Sequence, residues 1–127
     1  MAINFKTPGI HHVNLRCSDL EASKDFYQNI LGFPVLLENS ELFAFPVGSV
    51  FIVFKKAEDN ARFNPMTIGT DHIAITCETE EELHRVAKDL SGLGVENTGV
   101  KLDTTLQKMY VAFKDPDNIQ WEFYMSS

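Results

Sequence analysis

One line of sequence occurs twice in this chain, and the repeat limits the possible folds more than any other feature. The stretch GIHHVNLRC at 9–17 returns as GTDHIAITC at 69–77, with Gly, His and Cys at matching places. An internal repeat of this kind indicates one structural unit built twice. Because side chains alternate along a strand, each line predicts a strand with apolar residues on one face and its histidine on the other.

Helix and strand patterns follow both copies of the line. Residues 18–33 and 78–95 each predict one amphipathic helix, and each helix begins with a capping box, at 18–21 and at 79–82. Strand patterns then follow at 35–45, 49–56, 106–114 and 119–125. Each half is therefore a strand, a helix and two or three further strands, which predicts an α+β fold with a mixed or antiparallel sheet.

The organisation is one domain of 127 residues in two modules. Module one covers about 9–56 and module two about 69–125, and the polar stretch at about 57–68 is the expected linker. The late turns align if Pro46 is matched with Pro116, and this alignment places Ile52 opposite Glu122.

Composition excludes several classes of function. A net charge of −7 without a Lys/Arg cluster argues against nucleic acid, whose phosphates need a basic surface. No apolar run has the length of a membrane span, and the first residues lack the features of a signal peptide, so a cytoplasmic protein is expected. Cys17 and Cys77 are too few for a disulfide framework and are expected to fill the core.

Three residues suggest a metal site. His12 and His72 occupy equivalent places in the repeat, and Glu122 lies in the middle of the last strand pattern. Duplication for folding explains the matching apolar residues but not the matching histidines. Two imidazoles and a carboxylate can hold one divalent metal (Zn, Ni, Mn, Co or Fe(II)) with positions left for substrate. A metal-free pocket of the same shape is the alternative.

The stretches HHVNLRCSDLEASKDFYQNILGF, DHIAITC and KDPDNIQWEF resemble the vicinal oxygen chelate superfamily. This superfamily includes glyoxalase I, extradiol dioxygenases, fosfomycin-resistance thiol transferases and bleomycin-binding proteins. The resemblance implies two paired βαβββ modules that form a cupped, mostly antiparallel sheet, and a divalent metal that chelates substrate oxygens. It also implies a homodimer, with a cavity made from one chain or from two. His12, His72 and Glu122 stand at the family's ligand positions.

Departures from the family pattern narrow the choice of reaction. A fourth ligand typical of glyoxalase I is replaced by Ile52 in the turn alignment. Arg16 stands where glyoxalase I grips the glutathione carboxylate, but the second arginine of that grip is Ile68 here. Ring-cleaving dioxygenase chemistry is disfavoured because Ala112 replaces a tyrosine and 103–107 contains no histidine.

Fosfomycin-type thiol transfer is a less favoured hypothesis, because the Lys and Arg side chains that bind a phosphonate in those enzymes are not evident in this sequence. Glu41 lies near the place where hydrolytic members of that group keep a general base. An exposed glutamate between two strands is the alternative interpretation of this residue.

The resulting prediction is a glyoxalase-like, metal-dependent lyase or isomerase that acts on a small molecule with adjacent oxygens. Glu122 is predicted to act as ligand and base, with assistance from Glu41. The predicted substrate contacts are Arg16, Asn14, Tyr110 and Tyr124.

The alternative prediction is a bleomycin-resistance-type protein that binds a drug or metabolite without turnover. Aromatic side chains on the cavity face could stack on a planar ligand. The candidates for stacking are Phe43, Phe45, Phe51, Trp121, Phe123 and Tyr124.

Overall fold

Two copies of one βαβββ module make up the fold, in a computed structural model that describes residues 2–127. The elements of module one are β1 (His12–Cys17), α1 (Leu20–Asp25), a π-helical continuation of α1 (Phe26–Ile30), β2 (Leu37–Glu38), β3 (Leu42–Val47) and β4 (Val50–Lys56). The elements of module two are β5 (His72–Cys77), α2 (Glu80–Gly92), β6 (Lys101–Asp103), β7 (Lys108–Lys114) and β8 (Gln120–Met125). The predicted α+β class is confirmed.

Each module forms its own four-stranded sheet, with the same strand order in both. Sheet one has the order β1-β4-β3-β2 and sheet two the order β5-β8-β7-β6. The first strand of each module runs parallel to the last, and the other neighbours are antiparallel, as the mostly antiparallel prediction requires. Within one chain the cupped sheet therefore comes as two halves, and each half has a histidine-bearing edge strand.

The strand register corrects one detail of the sequence alignment. Glu122 lies two places beyond the residue that pairs with His72, and Val53 lies two places beyond the residue that pairs with His12. Val53, and not Ile52, is therefore the structural equivalent of Glu122. Module one still has no carboxylate at this position, so the conclusion about the fourth ligand is unchanged.

Unequal turns caused the misalignment. Pro46 lies inside β3, whereas Pro116 lies in the turn between β7 and β8. The first of these hairpins reverses through residues 48–49, and the second needs residues 115–119. An alignment on the two prolines is therefore one residue out of register between β4 and β8.

The predicted N-cap residue is correct for α2 but not for α1. Thr79 caps α2 as expected, and its hydroxyl accepts from the Glu82 N–H at 3.1 Å. In α1 the cap is Asp19 instead of Ser18, and its carboxylate accepts from the Ala22 N–H at 3.1 Å. Within residues 2–127, neither helix is long and apolar enough to cross a membrane.

The faces of the two sheets that pack against the helices contribute to one core. Every second residue of β1 and β5 is turned inward, and Cys17 and Cys77 are buried there as free thiols. Burial raises the pKa of the Cys17 thiol, which keeps it protonated. The prediction that both cysteines fill the core is confirmed.

The two modules are joined through the buried hydroxyl of Tyr27, in the π-helical part of α1. This hydroxyl donates to Oδ2 of Asp115 at 2.5 Å and accepts from Nε1 of Trp121 at 2.8 Å. Oδ1 of Asp115 accepts from the backbone N–H groups of Asp117 and Ile119. Module one thus contacts module two from the side that carries the helices.

Removal of the Tyr27 hydroxyl should destabilise the protein. Tyr27→Phe leaves one oxygen of buried Asp115 and the Trp121 N–H without this partner, and each unsatisfied buried group costs about 1–3 kcal/mol. We expect the free energy of unfolding to fall by about 2–6 kcal/mol in urea titrations. The matched control is Tyr110→Phe on the surface of sheet two, where a change of no more than about 0.5 kcal/mol is expected. Equal effects of the two substitutions would contradict the role of Tyr27.

Stability should also depend on the ionisation of Asp115. Burial raises the pKa of this carboxyl above its ordinary value of 3.8, although its hydrogen bonds act in the opposite direction. Between the two values the folded protein binds more protons than the unfolded chain, so the free energy of unfolding falls as pH rises. Urea titrations of the wild type and Asp115→Asn at pH values on both sides of 3.8 test this. The stability of the wild type relative to the variant should decrease with rising pH, and a pH-independent difference would refute the assignment.

Candidate metal centre

The open face of sheet two, turned away from the helices, carries the candidate residues of module two. Exposure alternates along β5, with His72 exposed and Ile73 packed against the core. Register partners on neighbouring strands share a face, and Ala74 pairs with Glu122. His72 and Glu122 therefore project from the same face.

His72 and Glu122 approach each other on this open face. Nε2 of His72 lies 3.5 Å from Oε1 of Glu122, and the two side chains are 39% and 10% exposed. Nδ1 of His72 lies 2.7 Å from Oδ1 of Asp71, and the Gln120 amide donates to Oε2 of Glu122 at 3.0 Å. Each of the two facing groups is thus held from behind by a polar neighbour.

This arrangement suits a cation between His72 and Glu122. If Nδ1 donates to the Asp71 carboxylate, Nε2 presents its lone pair towards Glu122, the orientation that a carboxylate imposes on metal-ligating histidines. Within residues 2–127, no Lys or Arg forms an ion pair with the Glu122 carboxylate. Two facing electron-pair donors in a partly dehydrated site need a cation or a shared proton between them. The donor set therefore fits a divalent metal.

Asp71 and Gln120 are the residues that sequence reasoning missed. Asp71 directly precedes His72, and Gln120 lies two places before Glu122 on the same strand face. Both spacings can be read from the sequence. A spacing, however, does not show which atom each side chain contacts.

His12 lies on the open face of sheet one, away from His72. It is exposed, and its Nδ1 lies 2.8 Å from Nδ1 of His11. Among residues 2–127, no three His, Cys, Asp or Glu side chains are grouped closely enough to hold a metal. Trp121 and Glu122 point to opposite faces of β8, and module one packs on the Trp121 side. The trio with His12 is therefore not assembled within one chain and stays a prediction.

Three further predicted residues lie on or near sheet one. Asn14 and Arg16 are exposed on the same open face as His12. Glu41 lies in the exposed turn before β3. The register puts this turn beside the Arg16 end of β1, about 13 Å along the strand from His12. The catalytic role of Glu41 stays a prediction.

Tyr110 and Tyr124 are register partners on the open face of sheet two. Their rings stack with centroids 6.1 Å apart and planes 20° from parallel. The Tyr124 hydroxyl donates to Oδ2 of Asp103 at 2.6 Å. Loss of hydration and this bond raise the pKa of Tyr124 to about 12, and the bond lowers the pKa of Asp103. Tyr124 therefore remains a protonated, anchored ring beside Glu122.

A cleft of about 600 Å³ lies elsewhere, between Phe26, Ile30 and the segment 93–98. It shares Gln120 with the open face of sheet two, but its buried carboxylate, Asp115, is already engaged by three hydrogen bonds. The open face holds the facing donors, and we therefore assign the candidate chemistry to that face.

Comparison with known sequences gives a consistent result. Residues 9–123 match the family model described as Glyoxalase/Bleomycin resistance protein/Dioxygenase superfamily. The uncharacterized protein YwkD of Bacillus subtilis (strain 168) is 30% identical, over 91% of this chain and 94% of that protein. The metallothiol transferase FosB of Lysinibacillus sphaericus is 29% identical, over 91% of this chain and 80% of that protein.

Solved structures share the fold. A glyoxalase family protein from Enterococcus faecalis has a TM-score of 0.77 at 30% identity, covering 92% of this chain and 97% of that one. A mutant of the fosfomycin resistance protein FosX from Listeria monocytogenes, complexed with Mn(II) and 1S,2S-dihydroxypropylphosphonic acid, has a TM-score of 0.73 at 22% identity, covering 94% and 90%. On the match over residues 9–123, this chain belongs to the Glyoxalase/Bleomycin resistance protein/Dioxygenase superfamily, which includes metal-dependent enzymes.

Proposed function

We propose that this chain is a divalent-metal-dependent lyase or isomerase whose small substrate chelates the metal through two adjacent oxygens. The observation that carries the proposal is the facing pair of His72 Nε2 and Glu122 Oε1, held from behind by Asp71 and Gln120. Imidazole and carboxylate ligands suit Zn, Ni, Mn, Co and Fe(II), so the donor set selects no single metal. A cytoplasmic location stays a prediction.

We infer that the third ligand, His12, comes from a second copy of the chain. In one chain, module one packs against the Trp121 side of β8, and Glu122 projects from the other side. Strands β1 and β5 are both sheet edges and carry the two histidines. Free edges of two copies can pair in a symmetric dimer. Such a homodimer would bring His12 of the partner subunit beside His72 and Glu122.

Glu122 has the central chemical role in this proposal. A bound divalent metal would supply Lewis-acid stabilisation of the negative charge that develops on a substrate oxygen. Glu122 would detach from its ligand role and accept a proton from a substrate carbon next to an oxygen. The neutral amide of Gln120 holds one carboxylate oxygen without neutralising the charge that makes Glu122 basic.

The remaining predicted residues would bind and orient the substrate. Tyr110 and Tyr124 present a rigid aromatic surface beside the base. Asn14 and Arg16 of the partner subunit's open face would bind polar groups of the substrate. Glu41 is retained as a candidate general base at the far end of that face.

Binding without turnover has less support. Three of the six aromatic residues on which it rested, Phe43, Phe45 and Trp121, are buried in the core. Phe51 and Tyr124 do lie on the open faces. A binder of planar molecules has no need of the facing donors, and we therefore favour the enzyme.

Metal affinity should depend on the residue behind the histidine as well as on the ligands. His72→Ala and Glu122→Gln should abolish binding, and Asp71→Asn should weaken it by about 10–100-fold, because outer partners orient the imidazole. The measurement is a chelator competition titration with Zn(II). The matched control is His84→Ala, an exposed histidine on α2 that should leave the affinity unchanged. Wild-type affinity in all three site variants would reject the proposed centre.

Mixed dimers can decide whether two copies share one site. His12→Ala and His72→Ala each damage every site of a homodimer, but a dimer of one chain of each kind regains one intact site if His12 comes from the partner subunit. After the two variants exchange subunits at random, roughly one Zn(II) should bind per four chains. If each cavity were built from a single chain, the mixture would bind no more metal than either variant alone.

A further inference from the structure

The open faces of the two sheets come from the same repeat but differ in chemistry. Phe51 pairs with His12 as Gln120 pairs with His72, and Val53 takes the place of Glu122. The contrast continues on the next strand, where β3 contributes apolar side chains and β7 contributes lysine and tyrosine. Sheet one is therefore apolar at the four positions that correspond to Tyr110, Lys114, Gln120 and Glu122 of sheet two, and it keeps a polar residue, Lys55, opposite Tyr124.

A continuous apolar patch results, which we call the apolar wall. Its members, which share the open face of sheet one by register, are Leu37, Leu42, Ala44, Pro46, Phe51 and Val53. Phe51 is 40% exposed and Leu37 is 56% exposed, although both are large and apolar. Ala44 is buried between them, and an exposed apolar patch of this kind marks a site for a ligand or a partner.

The position of the wall indicates its occupant. Phe51 is the register partner of His12, so the wall begins about 5 Å from the candidate ligand. On β4 it extends about 7 Å along the strand, from Phe51 to Val53, and in the following row Arg16 and Lys55 lie beside Leu42. A wall that starts at the candidate ligand and is bordered by two cations is sized for part of a small molecule.

We propose that the substrate carries a compact apolar group, a short alkyl chain or a planar ring, beside its chelating oxygens, and that the apolar wall binds this group. The proposal rests on the proposed function, because the partner subunit's His12 brings the wall to the metal. Polar groups of a peptide thiol or a phosphonate placed against Phe51 would lose their hydration without compensation, whereas Asn14 and Arg16 lie at the margin of the wall and can bind polar groups. The substrate is therefore amphipathic, with oxygens towards Glu122 and carbon towards Phe51.

Hydroxamates test the proposal, because they chelate a metal through two adjacent oxygens and differ only in the attached group. The Zn(II)-loaded protein is titrated calorimetrically with acetohydroxamate, hexanohydroxamate and benzohydroxamate. The dissociation constants of the two larger probes should be about tenfold lower than that of acetohydroxamate, or lower still, because burial of apolar area strengthens binding. Phe51→Ser should reduce this preference to less than about threefold.

Two further variants serve as a second test of the wall and as a control. Val53→Thr changes a second member of the wall, on the strand that pairs with β1, and should reduce the preference in the same direction, even if Phe51→Ser folds poorly. Leu93→Ser changes an apolar residue that is 55% exposed at the end of α2, and should keep the full preference.

The outcomes separate the two proposals. Tight binding of acetohydroxamate that depends on Zn(II), with no gain for the larger probes, would overturn the apolar wall and leave the metal site intact. A preference that survives both Phe51→Ser and Val53→Thr would overturn the wall in the same way. If no hydroxamate bound in a Zn(II)-dependent manner, the proposed function and the wall would both fail.

Discussion

The parallel pairing of the first and last strands of each module is the constraint on which the rest of the structure depends. It brings β5 beside β8, so that His72 meets Glu122 although they are 50 positions apart in sequence. A parallel pair needs a long crossover, which the helix and the two intervening strands provide. The same pairing in module one places His12 in a row with Phe51 and close to Val53, so one half of the repeat has a carboxylate beside its histidine and the other has apolar side chains.

The second constraint is the buried link from Tyr27 to Asp115 and Trp121. Unsatisfied polar groups in a core are costly, so this network specifies one way for the two modules to meet. Trp121 and Glu122 are neighbours on β8 and point to opposite faces, so one strand serves both the core and the candidate site. The modules meet on the Trp121 side, so Glu122 projects from the side of β8 that faces away from this contact.

The two sheets of the repeat carry different side chains at equivalent positions. Sheet two retains the donors, their outer partners and the stacked tyrosines. Sheet one contributes a histidine and an apolar wall at positions related by the repeat. A cavity lined by both would be polar on one side and apolar on the other, which favours a substrate with the same asymmetry.

The sequence by itself determined the repeat, the α+β class, the alternation of faces along β1 and β5, and the placing of His72 and Glu122 on the face away from the core. These properties follow from local periodicity, which reports the conformation of a segment and the side to which each residue points. Only the tertiary structure decided that Asp19 caps α1, that Pro46 lies within a strand, and that Val53 is the equivalent of Glu122. It also separated His12 from its predicted partners and supplied the polar contacts of Asp71 and Gln120. Those outcomes depend on turn lengths and on packing between distant segments, and no local period in the sequence encodes either.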